Sequence, residues 1–516
     1  ALGDPTVADA ILDRLVHGMR GLGLGLGHTL ALLGNNRDEW CEVMSACTVS
    51  GVVTVPVNWH FSVDEIAYVL ENSGATAIVA DAEFADTARA AAERAGVAVR
   101  IAFGGPIDGF VDYDELLASA SADEPDDLVA GATMFYTSGT TGRPKGVRSS
   151  AFPIGGDPQE SLDRLALLMS LYQAPIDGVV LCNAPLYHAG PLAMCFVPFA
   201  CGATLVLRRK WDAEETLRLI DEHAVTNYYA VPTHFTRLLK LPSEVREQFS
   251  GESLRWVLHT AAPCPPQIKQ QMIDWWGPVI NELYGASEGG GVATFASSEE
   301  CLARPGPVGR ALPICEVLVI GDDGERLGPN ATGQIYMRSL LGSDFEYLGD
   351  QEKTAAVHLE PGVFSFGDVG HLDDDGYLFL SDRLIDMIIS GGVNIYPAEI
   401  EAVIATHPLV ADVGVFGVPN DEFGEEVKAA VELVAGADPH PRSTSTPTRP
   451  RRACAACAVT NWRATWSRGP TTSVRSPAPP PASCPSGSSG PATGRAPAAP
   501  SERPGGPRHP VVESPP

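Results

Sequence analysis

"TSGTTGRPKGV", Thr137 to Val147, packs three glycines, four hydroxyl side chains and two cations into eleven positions, directly after the apolar run "ATMFY". Glycine has no Cβ, so the backbone can turn tightly and approach a ligand closely. Successive backbone N–H groups in such a turn make a nest for anions, and Lys145 adds a mobile ammonium. The stretch reads as a phosphate cradle at the end of a strand. It is not a Walker loop, which needs Ser or Thr after the lysine, because Gly146 follows Lys145. A flexible polar hairpin accounts for the same residues, so the surroundings have to decide.

Working outward, short β-rich runs alternate with helical patterns from about residue 28 to 437. "TLALLG", "GVVTVPVN", "TAIVAD" and "VAVRIAFG" precede the loop, with helices such as "SVDEIAYVLENSG" between them. "GVVLCNAPL", "ATLVLRR", "TNYYAVP" and "LRWVLHTAA" follow it. This alternation indicates α/β layers around mostly parallel sheets. Between 306 and 380 short strands with "DDGER" and "DDDGY" turns predict a β-rich subdomain. At the start, Ile11, Leu12, Leu15 and Met19 recur at helical spacing, so the chain begins inside an amphipathic helix. No internal repeat is evident.

The 516 residues carry a net charge of −28, which favours solubility and opposes non-specific binding to nucleic acid. No apolar run approaches the roughly 18 residues of a membrane span, and no signal peptide is visible, so a cytoplasmic location is expected. The eleven cysteines are scattered, mostly in apolar contexts such as "AMCFV" and "PICEV", and are expected to be buried, reduced thiols. The C-x-x-C at Cys454–Cys457 has no second pair at zinc spacing and cannot fill a tetrahedral shell by itself.

Downstream of the glycine-rich loop come "YGASE" (Tyr284–Glu288), "FSFGD" (Phe364–Asp368), "GYLFLSDR" (Gly376–Arg383) and "IDMIISGGVNIYPAEIE" (Ile385–Glu401). In this order and spacing the five motifs resemble those of the acyl-adenylate-forming, AMP-binding superfamily, and within it the fatty-acid-type acyl-CoA synthetases. The resemblance runs from residue 1 to about 437. It implies an α/β fold, with a large N-terminal domain over 1–381 made of two mostly parallel sheets flanked by helices and a small β-barrel-like subdomain. A truncated α+β C-terminal domain would follow over 382–437. Measured against the family, the chain lacks a few dozen residues at its start and most of the small domain's end.

The resemblance also implies roles. Thr137, Ser138, Gly139, Thr140, Thr141, Gly142 and Lys145 would hold the β- and γ-phosphates of ATP. Glu288 would hold Mg²⁺, a hard cation suited to carboxylate and phosphate oxygens. Ala261, Ala262 and Pro263 of "HTAAP" would line the adenine, Tyr284 would stack on it, and Gly285, Ala286 and Ser287 would complete that wall. Asp368 would accept from both ribose hydroxyls, and Arg383 would contact the ribose or phosphate side. His188 in "PLYHAGPL" matches a position between nucleotide and acyl pocket, although a lone histidine is more often structural. Gly391 and Gly392 would belong to the pantetheine channel for coenzyme A, the co-substrate. Ile385 stands at the hinge position, where the family usually has Asp or Lys.

Past Ala437 the composition changes to Pro, Arg, Ser, Ala and Thr with no lysine, so 438–516 is expected to be disordered. Family members end the small domain with a lysine that bonds the α-phosphate, and here no lysine follows Lys428. A divergent natural tail and a frameshift near position 438 both account for this, and we favour the frameshift. The expected activity is ATP-dependent ligation of a fatty or other hydrophobic carboxylic acid to coenzyme A, impaired by loss of that lysine. An acyl-AMP ligase that does not use coenzyme A, or a non-catalytic nucleotide- or acyl-binding protein, stays open, as does a homodimer. The pocket segment "LYHAGPLAMCF" has no Asp to pair with an α-amine, which disfavours amino-acid substrates.

Overall fold

A computed structural model describes residues 5–137, 143–288, 292–383, 386–390, 393–420 and 424–434. The expectations for Ser138–Gly142, Ile385, Gly391, Gly392 and the tail 438–516 therefore fall outside the described residues. The first sheet has six strands, in the order Val111–Asp112, Val99–Phe103, Ala77–Asp81, Thr29–Leu33, Val53–Val57 and Ala132–Thr133. All of its pairings are parallel. The second has seven, in the order Thr204–Leu207, Val179–Cys182, Asn227–Ala230, Trp256–His259, Ile280–Tyr284, Thr294–Ala296 and Arg310–Ala311. Its first five strands run parallel, and the last two are added antiparallel.

Unbroken apolar runs make these strands because a parallel sheet is covered on both faces, while successive side chains still alternate between them. Leu30, Leu32, Ala77 and Val79 enter one core, and Ala31, Leu33, Ile78 and Ala80 enter another. The second sheet divides the same way: Val180, Cys182, Tyr229 and Leu258 share the first core, whereas Leu181, Tyr228, Ala230 and Val257 face a third. One apolar layer thus lies between the two sheets, filled further by Leu15, Met19 and Trp40 from helices Pro5–Gly21 and Asp38–Val49. The helix Val63–Ser73 begins where the sequence sets it. Ser62 and Glu65 form a reciprocal capping box, and Gly74 closes the C-terminus at φ 66°.

The β-rich segment forms an antiparallel sheet of Cys315–Ile320, Gly333–Ser339, Val363–Leu372 and His358–Glu360, with Leu378–Arg383 also on Val363–Leu372. Beyond it lie a four-stranded antiparallel sheet, made of Val393–Ile395, Ile388–Ser390, Gly424–Leu433 and Val410–Asn420, and the helix Pro397–Ala405. Eight cysteines lie among the described residues; all are free, and six of them are buried. No helix among the described residues is long and apolar enough to cross a membrane.

A buried ion pair joins the helix Pro266–Trp276 to the strand Ile280–Tyr284, where the Lys269 ammonium donates to Glu282 Oε2. Burial lifts the Glu282 carboxyl above its ordinary pKa, and Lys269 only partly offsets this. Burial opposes the charge on Lys269, yet Glu282 holds it above the ordinary lysine value. Removing one partner strands the other, so Lys269→Met is expected to cost about 3–5 kcal/mol, and Lys269→Met/Glu282→Leu distinctly less. With the cation gone, the folded-state pKa of Glu282 rises further above the unfolded value of about 4.3. The folded state then binds the proton more tightly, so the single variant regains stability as pH falls and loses it as pH rises through the folded pKa. Thermal unfolding of both variants across pH checks this.

Candidate active site

Thr137 ends the strand Phe135–Thr137, Lys145 starts the strand Lys145–Ser149, and the two pair antiparallel with Thr137 opposite Lys145. The residues that flank the glycine-rich motif are therefore the two paired strands of a hairpin, and no helix follows Lys145 directly. That explains the residue after the lysine: Gly146 sits under the Tyr136 ring, where a Cβ would come within 2.9 Å of Tyr136 Cζ. A third strand, Phe345–Tyr347, pairs with Lys145–Ser149 from some 200 residues downstream in the sequence. It delivers Tyr347, which the sequence reading missed.

Tyr347 links two of the expected site residues. The Lys145 ammonium lies 4.9 Å from the centroid of its ring, and its phenol donates to Glu288 Oε1 at 3.0 Å. Burial first and the Glu288 carboxylate second push the Tyr347 hydroxyl well above its ordinary pKa, so it stays a donor. Four residues before Glu288, the Tyr284 phenol donates to Asp368 Oδ2 at 2.6 Å. The Tyr284 ring also meets Phe366 edge-on at 5.8 Å. Asp368 is buried, and Arg383 lies opposite it in strand register, its side chain outside the described part. Lys145, Tyr347 and Glu288 thus meet at one end of the segment Tyr284–Glu288, and Tyr284 and Asp368 at the other, the five residues coming from four separate segments.

Gly285, Ala286 and Ser287 are half-buried between the two ends of that segment. Ala261, Ala262 and Pro263 are exposed just past the strand Trp256–His259. Ala261 has φ 75°, a left-handed conformation that is uncommon for a residue with a Cβ and recurs at functional sites. His259 is fully buried, with Nε2 3.9 Å from Glu282 Oε1, and burial holds its pKa far below the ordinary value. It therefore stays neutral.

His188 is exposed beside Tyr187, at a ring separation of 4.3 Å. Its pKa is lowered by partial desolvation and then by His60. It opens a short helical turn that continues as a π-helical segment, Leu192–Phe196. Asn36, also missed, anchors the approach to His188. Its amide donates to the carbonyls of Ala184 at 2.8 Å and Arg208 at 3.0 Å, and its Oδ1 accepts from Leu186 N–H at 2.9 Å. The signal was "GNN" directly after a buried strand.

Among the described residues no group of three or more His, Cys, Asp or Glu side chains could hold a metal ion. Glu288 is then a single carboxylate facing the foot of a phosphate-type hairpin. That donor set suits Mg²⁺, which is usually bound through one or two carboxylates plus substrate phosphates.

The sequence pattern of the AMP-binding enzyme family matches residues 8–341, and that of the AMP-binding enzyme C-terminal domain matches 399–451. An indoleacetate–CoA ligase of Aromatoleum aromaticum is 30% identical over 433 residues, covering 83% of this chain and 82% of that protein. A long-chain-fatty-acid–CoA ligase of Mycobacterium tuberculosis is 32% identical over 439 residues, 82% of each. The solved o-succinylbenzoate CoA synthetase of Bacillus subtilis, in complex with its acyl-adenylate intermediate, superposes with a TM-score of 0.68. It is 28% identical, and 84% of each chain is covered. A chain with these two parallel sheets, this hairpin and these matches belongs to the AMP-binding enzyme family, the AMP-forming acid–thiol ligases.

Proposed function

We propose that this chain binds ATP·Mg²⁺ and a hydrophobic carboxylic acid, fatty or aromatic, and is built to form acyl-AMP and pass the acyl group to coenzyme A. The observation that carries this reading is the pair of contact sets at the two ends of the segment Tyr284–Glu288: Lys145 and Glu288 on Tyr347, and Tyr284 on Asp368. It provides a cation for the outer phosphates, a carboxylate for a hard metal, and an acid for the ribose. Relatives named for an indole acid and for long-chain fatty acids support a hydrophobic acid and leave its shape open.

In this reading Lys145 and the hairpin orient the triphosphate, and the Asp368 carboxylate accepts from the ribose hydroxyls. Mg²⁺, when bound by Glu288, would neutralise charge on the phosphate oxygens. The acid's carboxylate attacks the α-phosphorus, and pyrophosphate leaves. The thiol of coenzyme A then attacks the acyl carbon, and AMP leaves. His188 lies beside the acid, its lowered pKa keeping it uncharged near neutral pH, so a greasy acid meets no extra cation there. The protein's contribution is positioning and preorganised charge. Gly391 and Gly392 are proposed for the pantetheine channel, and Arg383 for the ribose or phosphate side.

No lysine follows Lys428, so the cation that relatives of this type place on the α-phosphate is absent from the sequence as written. Acyl-AMP formation is therefore proposed to be impaired, with nucleotide binding retained. Asp368→Asn is expected to weaken ATP binding by about 1.5–3 kcal/mol, read by titration calorimetry, because it removes a charged acceptor. Unchanged affinity would rule Asp368 out. Pyrophosphate release with fatty or aromatic acids should stay near background. Replacing residues 438–516 with a small-domain end that carries the lysine should raise the rate about 10²–10³-fold. Robust CoA-ester formation by the unaltered chain would show that the tail has been misread.

A further inference from the structure

The strand Asn227–Ala230 sends its two tyrosines to opposite faces of the sheet, as neighbours along a strand do. Tyr228 enters the third core, and its hydroxyl is used there. It accepts from Trp211 Nε1 at 3.0 Å and lies 3.4 Å from His234 Nδ1. Tyr229 enters the layer between the two sheets and is only 4% exposed. Among the described residues its hydroxyl has no hydrogen-bond partner. Burial first and Cys195 second push its pKa well above the ordinary value, so the group keeps its proton and stays a donor. Leaving such a group unpaired costs about 1–3 kcal/mol, and a phenylalanine would fill the same space without that cost.

The backbone beside the phenol is shaped for it. A Cβ on Gly190 would come within 2.6 Å of the Tyr229 oxygen, so the phenol lies there only because residue 190 has no side chain. Gly190 is half-buried and stands two residues after the exposed His188, so the oxygen reaches the turn that opens at His188. The segment that follows, Leu192–Phe196, is π-helical, a distortion frequent at functional sites, and it carries Cys195. Strand register gives the depth. Tyr229 pairs with Leu258, three residues before Ala261 of the expected adenine wall. At the rise of a strand, that places Tyr229 about 10 Å below this wall. The carboxylate of the acid has to meet the nucleotide, so the part of the acid that reaches Tyr229 is its hydrocarbon body.

We propose that Tyr229 is a specificity-determining residue whose hydroxyl donates to an oxygen on the body of the acid, and that the preferred substrate is a hydrophobic acid bearing a hydroxyl or keto group. The proposal rests on the reading of His188 as a neighbour of the acid, and narrows it from any hydrophobic acid to an oxygenated one. An acid with such an oxygen satisfies the phenol. A plain hydrocarbon leaves it unpaired, and the site discriminates by the cost of that unmade bond.

Calorimetric titration of the full chain with two series of acids tests this, first as free acids and then as their adenosine sulfamates, with AMP alone alongside. One series is 3-phenylpropanoic acid with its 3- and 4-hydroxyphenyl analogues; the other is decanoic acid with its keto analogues. At least one oxygenated acid should bind about tenfold tighter than its parent, and Tyr229→Phe should erase that advantage while leaving the parent acids unchanged. Tyr229→Phe should unfold no earlier than the unaltered chain, because it removes an unpaired hydroxyl. Tyr228→Phe should unfold earlier, having lost the Trp211 bond, and should keep the ligand preference. Equal binding of parent and oxygenated acids, no binding of any acid in either form, or a preference that survives Tyr229→Phe overturns the proposal. Earlier unfolding of Tyr229→Phe overturns it too, since the hydroxyl would then be structural. A preference among the free acids without binding of AMP or the sulfamates sinks the nucleotide reading instead and leaves the role of Tyr229 standing.

Discussion

The amide of Asn36 ties the end of one parallel sheet to the ends of two strands of another, and the arrangement of the site depends on that junction. Asn36 follows the strand Thr29–Leu33, while its partners Ala184 and Arg208 follow Val179–Cys182 and Thr204–Leu207. Both of its N–H donors and its carbonyl are used inside the protein, so the junction carries no desolvation penalty for these groups. The shared apolar layer brings the sheets together, and a directional polar contact then sets where their C-terminal strand ends meet. Ligands of open parallel sheets bind beyond those ends. The segments that begin at Ala261, Tyr284 and Asn183 all leave the second sheet on that side.

Within the crevice the main electrostatic problem is to keep opposite charges near each other and still available. Lys145 and Glu288 in direct contact would neutralise each other and offer little to a phosphate or a metal. Tyr347 stands between them, with its ring face toward the ammonium and its hydroxyl on the carboxylate. Both contacts are weaker than an ion pair and can be given up to a more highly charged ligand. Tyr284 likewise donates its phenol to one oxygen of the Asp368 carboxylate.

The sequence made the layers legible because apolar strand runs and helical periods are local signals. "TLALLG", "TAIVAD" and "TNYYAVP" lie where strands form, and the "DDDGY" turn closes through Asp373 and Gly376. The ordered motifs pointed to Lys145, Glu288, Tyr284 and Asp368; the structure bridges the first two through Tyr347 and pairs the last two directly. What links them was not legible. Tyr347 sits in "FEYLGD", an unremarkable segment until it pairs with a strand some 200 residues earlier. Lys353 likewise looks like an ordinary helix lysine until that pairing carries it to the hairpin. Lys269 and Glu282 are charged residues in amphipathic positions, and only the packing of their helix on the sheet shows that both are buried. Long-range pairing leaves no periodicity in a sequence, which is why the connecting residues escaped.

A net charge of −28 sets a further condition on any reading that involves ATP and a carboxylic acid, since both substrates are anions. At long range such a protein repels them, and salt screens that repulsion beyond about 10 Å. Capture therefore depends on short-range fields, and the fold builds one by spending acids elsewhere. Glu215, Glu300 and Glu316 are each paired with arginines on the surface, and Asp373 with Arg304. Arg143 and Lys145, by contrast, face aromatic rings, and so their charge is not cancelled at the place where the glycine-rich hairpin ends. Tyr68 and Tyr347, set against cations that have no carboxylate partner among the described residues, help to focus the field outward from the hairpin. Capture of an anion by so acidic a chain thus requires a local concentration of positive charge, and the hairpin supplies it.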